Sequence, residues 1–248
     1  MNLRRRTVRA RRWPYAILLV ACVLWGTSEW FLPRWASSQL EQSLRRSLGR
    51  PGWLQVQVRA FPAFRLLAGR IDRLHVEARE FPVGGLAVEA FLLEGRGVVY
   101  DAPQLYRQGE FALNGLDSLR VSLVVNEKAL NEYFWRQADP AHRFRLQLAD
   151  SKASLSGSLD FLARPLQLAV SGRLSIAGPT SLSFLPEELS LQQFQLPRFI
   201  LDAFARRWTI HLDFSSLPFP LQLTDVAVQQ GRLYVYGQKA ADTSHVQQ

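Results

Sequence analysis

Cysteine is nearly absent from these 248 residues: Cys22 stands alone. A single thiol excludes an internal disulfide and a structural cysteine metal site. A chain of this length can bury a sizeable core without either. Histidine is scarce too. His75, His142, His211 and His245 are far apart, and none falls in H-E-x-x-H or another paired spacing used for zinc. His211 and Asp213 share one strand face at i, i+2, a spacing that can hold a metal or a dyad, but the alternation is expected to turn both toward solvent, opposite Ile210, Leu212 and Phe214. There is no G-x-S-x-G elbow, no P-loop, and no G-x-G-x-x-G opening a helix. The G-x-G in "LEGRGVV" (93–99) reads as a turn. Glu187 and Glu188 are adjacent, so their side chains diverge in a strand or a helix. No catalytic residue, metal ligand or cofactor is expected from these patterns.

Acidic residues are missing from 1–12, which hold six arginines. The formal net charge is +9, but the rest of the chain has 24 basic and 21 acidic residues. The basicity is therefore mostly an N-terminal arm. The remainder shows neither a basic stripe nor a nucleic-acid motif, so nucleic acid is not an expected partner. A linker rich in Gly, Ser or Pro is also lacking, which argues for one exported domain.

What is present begins with "WPYAILLVACVLWGTS" (13–28), sixteen residues without a charge. An arginine arm before an apolar run reads as a signal anchor. Sixteen helical residues span about 24 Å, slightly short of the roughly 30 Å hydrocarbon core. Trp13, Trp25 and Trp30 extend the reach as membrane-interface candidates, with the arginines cytoplasmic. A cleaved signal peptide is the alternative, although no clean cleavage pattern is visible. Lipidation at Cys22 is a third, because "LVAC" resembles a lipobox, but the apolar run continues past it. The expected divisions are a basic cytoplasmic arm at 1–12, a transmembrane anchor at 13–32, the domain at 33–238 and a disordered tail at 239–248.

Pro33 is expected to start a second helix, with Trp35, Leu40, Leu44 and Leu48 on one side and Gly49 and Pro51 ending it. After Gly52 the period changes from 3.6 to 2. About ten short strands follow, from "WLQVQVRA" (53–60) to "RLYVYG" (232–237), arguing for antiparallel sheet with one buried face. Two helices interrupt them. Asn126 caps "NEKALNEYFWRQ" (126–137), with Ala129, Leu130, Tyr133 and Phe134 on its apolar face. "PRFILDAFARR" (197–207) stacks Phe199, Ile200, Ala203 and Phe204.

Three loop-like segments carry more apolar bulk than turns require: "FPAFRLLAG" (61–69), "LSFLPEEL" (182–189) and "SSLPFPLQL" (215–223). In each, proline interrupts the strand ladder while large apolar side chains remain. They either plug the ends of a β-structure or line a groove for an acyl chain.

Taken in order, the first helix, "FPAFRLLAGRIDRLHVEARE", "LAVEAFLLEGRGVVYD", "NEKALNEYFW" and the closing "LPFPLQLTDVAVQQGRLYVYG" resemble the LmeA-like phospholipid-binding family of bacterial cell-envelope proteins. The resemblance covers roughly 35–238. Its motifs are patterns of apolar and turn residues, and the family offers no catalytic residues to carry over. It implies an α+β, tubular lipid-binding type of fold, with a long N-terminal helix wrapped by a strongly curved antiparallel sheet. It also implies phospholipid or another membrane lipid as partner.

On that footing the groove candidates are Leu40, Leu44, Leu48, Phe61, Phe64, Leu66, Leu67, Leu130, Phe134, Phe184, Leu185, Phe204, Leu217 and Phe219. The expected function is acyl-chain binding by a single-pass envelope protein, with its domain on the extracytoplasmic face of a bacterial membrane, in lipid transfer or lipid homeostasis. The alternatives are a structural or partner-binding module with a filled core, and an enzyme acting on lipid or lipid-linked sugar. No protein partner is readable.

Overall fold

Period-two alternation sets the architecture, and the buried positions follow it closely. In a computed structural model the backbone is described for residues 13–149, 151–161, 164–191, 194–195 and 211–240. Side chains are described from residue 29 onward, except at 159–161, 164–166, 191, 194–195 and 211. The expected helix at 197–207, Phe204 and most of the tail lie outside the described residues.

The chain begins with helix α1 (Trp13–Ser47). Strand β1 (Trp53–Arg59) follows, then a 3₁₀ turn (Ala63–Leu66), β2 (Arg70–Val83) and β3 (Leu86–Tyr100). Helix α2 (Ala102–Gln108) leads to β4 (Leu113–Gly115) and β5 (Ser118–Asn126). Helix α3 (Glu127–Gln137) leads to β6 (Phe144–Ala149), β7 (Lys152–Phe161), β8 (Arg164–Gly178) and β9 (Ser181–Leu191). Short strands β10 (Phe194–Gln195) and β11 (His211–Asp213) precede the closing hairpin of β12 (Leu221–Gln229) and β13 (Arg232–Lys239).

Two antiparallel sheets result. One runs β1-β2-β3-β5-β13-β12, with β4 on β3; the other runs β10-β9-β8-β7-β6, with β11 on β9. Among the described residues the fold is mostly antiparallel sheet, with a strongly curled half-barrel sheet and three helices. Backbone bonds join the sheets, from Ser151 N–H to the Val228 carbonyl (3.1 Å) and from Leu223 N–H to the Pro179 carbonyl (2.7 Å). One apolar cluster draws on both sheets and on α1, whose Ala36, Leu40 and Leu44 form a stripe facing in that Leu48, just past the helix end, continues. Four residues separate these positions, which keeps them on one side of the helix.

Helix α3 forms as the sequence predicts: the Asn126 side chain accepts from Ala129 N–H (2.8 Å). Its buried Asn131 exchanges two hydrogen bonds with the Leu146 backbone, which ties α3 to β6.

Three expectations are corrected. Pro33 does not start a helix; it lies inside α1, which is continuous across the boundary expected at 32/33. Proline removes one helical N–H but fixes φ near the helical value, so tertiary packing can carry it. The G-x-G at 95–97 is not a turn but part of β3. Gly97 has φ of +59°, and the Asp117 carboxylate occupies the space a Cβ would need. "LSFLPEEL" is not a loop but belongs to β9, with Pro186 opposite Gly172 at a register shift. A bulge tolerates a residue without an N–H, and glycine leaves room for the ring. Among the described residues no helix is long and apolar enough to cross a membrane. The side chains of 13–28, on which the anchor expectation falls, are outside that set.

Candidate functional site: a core stripe, a cleft and an outward-facing loop

The fourteen groove candidates divide into distinct groups. Leu40, Leu44, Leu48, Leu66, Leu130, Phe134, Phe184, Leu217 and Phe219 are all buried in the central cluster. None exposes more than 9% of its surface. In this conformation they are packed against protein and not arrayed around an empty tube. Phe204 lies outside the described residues. Phe61, Phe64, Leu67 and Leu185 do not line the interior at all; they are exposed.

The geometry of the 3₁₀ turn explains the split within one short segment. In such a turn, residues three apart lie on the same side. Ala63 and Leu66 form the inward pair and are fully buried, while Phe64 and Leu67 form the outward pair. Phe61 precedes the turn and is 74% exposed.

Polar bonds hold the loop in this attitude. The Asp72 carboxylate accepts from Phe61 N–H (2.7 Å) and from the Arg65 guanidinium (2.7 Å). The Glu29 carboxylate, on α1, accepts from Ala63 N–H (2.9 Å). The Tyr100 and Tyr106 hydroxyls sit 2.6 and 2.9 Å from the Leu66 carbonyl and 2.6 Å from each other. Burial, followed by the Tyr106 contact, pushes the Tyr100 hydroxyl well above the usual tyrosine value, and burial raises Tyr106. Gly69 ends the loop at φ +73°, where a Cβ would strike the Tyr100 carbonyl.

Helix α1 packs beside this loop. It contributes two more exposed apolar residues, Trp30 (68%) and Phe31 (60%). Arg34 lies over the Trp30 ring, 3.9 Å from its centroid. Trp30 was an interface candidate from the sequence; Trp13 and Trp25 are outside the described side chains. Between α1 and the loop opens a cleft of about 490 Å³, lined by Glu29, Pro33, Val58, Arg59, Ala60, Phe61, Asp72 and Arg73. A second hollow of about 240 Å³ shares Arg59 and Arg73 and adds Gln57, Leu74, His75, Glu94, Gly95 and Arg96.

Sequence reasoning missed these cations. Strand register brings them together: Arg59 pairs with Arg73, and Arg73 with Arg96. The available signal was an arginine at a solvent-facing position near the same end of each strand. Pairing is not readable from single strands. Phe31 was missed because it was absorbed into the anchor.

Little here resembles an acid–base centre. His75 meets Glu77 at 3.1 Å on the exposed face of β2. Asp213 is bound by Ser215 N–H (2.8 Å), the largest cause holding its carboxyl below the usual range. Among the described residues no group of three or more His, Cys, Asp or Glu could hold a metal ion.

The sequence model of a family described as LmeA-like phospholipid-binding matches residues 27–238, from just before the exposed tryptophan to the end of the closing hairpin. Comparison with curated proteins and with solved structures found no match.

Proposed function

The chain belongs to the LmeA-like phospholipid-binding family, and from that membership we propose that it binds phospholipid acyl chains between α1 and the curled sheet. In this reading the N-terminal segment holds the protein at a bacterial cell membrane, with the domain on the extracytoplasmic face. Its role there is lipid transfer or envelope lipid homeostasis. The observation that carries the proposal is the cleft between α1 and the 3₁₀ loop. It has apolar walls at Pro33, Val58, Ala60 and Phe61, and it opens beside the apolar interior.

The energetics favour exchange. A CH₂ group in water costs about 0.8 kcal/mol relative to an apolar medium. A chain passing from bilayer to protein interior therefore loses little, provided it avoids water. The α1 stripe is packed against the sheet, so a chain enters by replacing protein–protein contacts with protein–lipid contacts of the same kind. Mass spectrometry of detergent-free protein is expected to find retained phospholipid, and a fluorescent phospholipid is expected to be taken up. A lipid-free protein with no uptake contradicts the proposal.

The dense burial of nine candidate residues favours a second reading, a packed module that binds no lipid. Thermal unfolding separates the two. A ligand that binds only the folded state raises Tm by mass action. Phospholipid raises the Tm on the first reading and leaves it unchanged on the second.

A further inference from the structure

We propose that the end of the domain formed by α1 and the 3₁₀ loop is a docking surface for an anionic phospholipid bilayer. Phe61, Phe64 and Leu67 enter the acyl boundary beside Trp30 and Phe31, and the row Arg59–Arg73–Arg96 receives headgroup phosphates. The proposal rests on the phospholipid-binding reading and adds the orientation of the domain and the charge of the lipid.

The apolar part lies on two neighbouring segments and is held outward. Five large side chains, each more than half exposed, lie on two packed elements. Clusters of this kind on a soluble surface mark an interaction site. They cannot simply fold inward. Ala63 and Leu66 already fill the inward positions, and Glu29, Asp72, Tyr100 and Tyr106 fix the backbone between them.

Two features select a bilayer as the occupant. First, Trp30 and Phe31 directly follow the charge-free run 13–28 and Glu29 in sequence, so the patch is continuous with the most apolar stretch of the chain. Tryptophan at such a junction, with arginine over its ring, suits the headgroup level. Second, the charges complement anionic lipid. Arg59, Arg73 and Arg96 occupy neighbouring registers on three adjacent strands, where like charges repel. The guanidinium groups of the three make no hydrogen bond or ion pair among the described residues.

The nearby carboxylates are largely engaged. Asp72 holds Arg65 and Phe61, and Glu29 holds Ala63, while Glu94 is one carboxylate among three arginines in the second hollow. Arg59 and Arg73 share one cleft with Phe61, so cations and apolar side chains meet at one rim. Phosphate at that rim would relieve the repulsion, and its acyl chains would lie on the apolar side.

The test uses the full chain, with Cys22→Ser, reconstituted in phosphatidylcholine vesicles with or without phosphatidylglycerol. A single reporter cysteine carries an environment-sensitive fluorophore, at Phe64→Cys or, as control, at the exposed Ala87→Cys near the far hairpin of β2–β3. The expected result is quenching of the residue-64 label by shallow spin-labelled lipid, stronger with phosphatidylglycerol, and a water-like label at residue 87. The triple variant Arg59→Gln, Arg73→Gln, Arg96→Gln is expected to remove the dependence on phosphatidylglycerol. Should that variant misfold, high salt on the unaltered arginines reads the same charge effect.

A residue-64 label in water in both vesicles overturns the docking surface. Equal quenching in both overturns the role of the arginines. Retained phospholipid is measured on the same samples. Its presence with an unquenched label leaves lipid binding standing without docking. Its absence with a quenched label leaves docking standing without lipid binding.

Discussion

"FPAFRLLAG" and "SSLPFPLQL" are nearly interchangeable on paper, each a short proline-bearing segment loaded with phenylalanine and leucine. They end in opposite places. Leu217, Phe219, Leu221 and Leu223 all point into the core, whereas Phe61, Phe64 and Leu67 point out of it. The second segment turns back over the core at Leu217 and Phe219 and then enters β12, where Leu221 and Leu223 alternate onto the sheet's buried face. The first winds into a 3₁₀ turn, which divides its apolar residues between two sides. Composition sets how much apolar surface a loop carries, and local backbone period sets where that surface goes.

Substitutions can break this contrast, and the inward segment should suffer most. Phe219 stacks on Phe91 with ring centroids 6.5 Å apart. Phe219→Ala is expected to cost about 3–5 kcal/mol in denaturant unfolding through the cavity it leaves. A cost below about 1 kcal/mol would mean the segment is a surface plug after all.

Gly69→Ala comes next. The substitution forces a side chain onto a left-handed residue and into the Tyr100 carbonyl. About 2 kcal/mol is expected from strain of this kind, read the same way.

Tyr100→Phe removes one hydroxyl from the Leu66 carbonyl and leaves Tyr106 to serve it. The loss should be about 1 kcal/mol at neutral pH. It also carries a pH signature. The folded state favours the neutral tyrosine, because burial raises its pKa. That contribution is fully present below the unfolded value of about 10 and is lost as pH rises above it. Stability curves from pH 8 to 11 should therefore fall more steeply for the unaltered protein than for the variant.

Phe61→Ser should have the smallest effect on stability, within about 0.5 kcal/mol, because the ring is already in solvent. It should nevertheless weaken insertion of the loop at a vesicle surface. A large loss of stability instead would show that this ring packs as Phe219 does.

Much of the fold was legible because its signals are local. Asn126 announces α3, and alternation such as Leu54-Val56-Val58 announces the strands and names their buried face. The unbroken α1 was not legible, since Pro33 reads locally as a start. Pro186 misled in the same way, because its tolerance depends on Gly172 in another strand. At the site, the apolar segments were identified but not their direction. Nothing local distinguishes Leu66, which is buried, from Leu67, which is exposed. The arginine row was invisible, since three residues that are distant in sequence become neighbours only through strand register.

On the proposed function, phospholipid tails occupy the space between α1 and the curled sheet. A phospholipid with a photoreactive group on its acyl chain, crosslinked to the full chain in vesicles and mapped by peptide sequencing, tests it most directly. Crosslinks are expected on the inward stripe at Leu40 and Leu44 and on the facing strand around Val56 and Val58. Crosslinks confined to the outward residues, Trp30, Phe31, Phe61, Phe64 and Leu67, with none on the stripe, would contradict it.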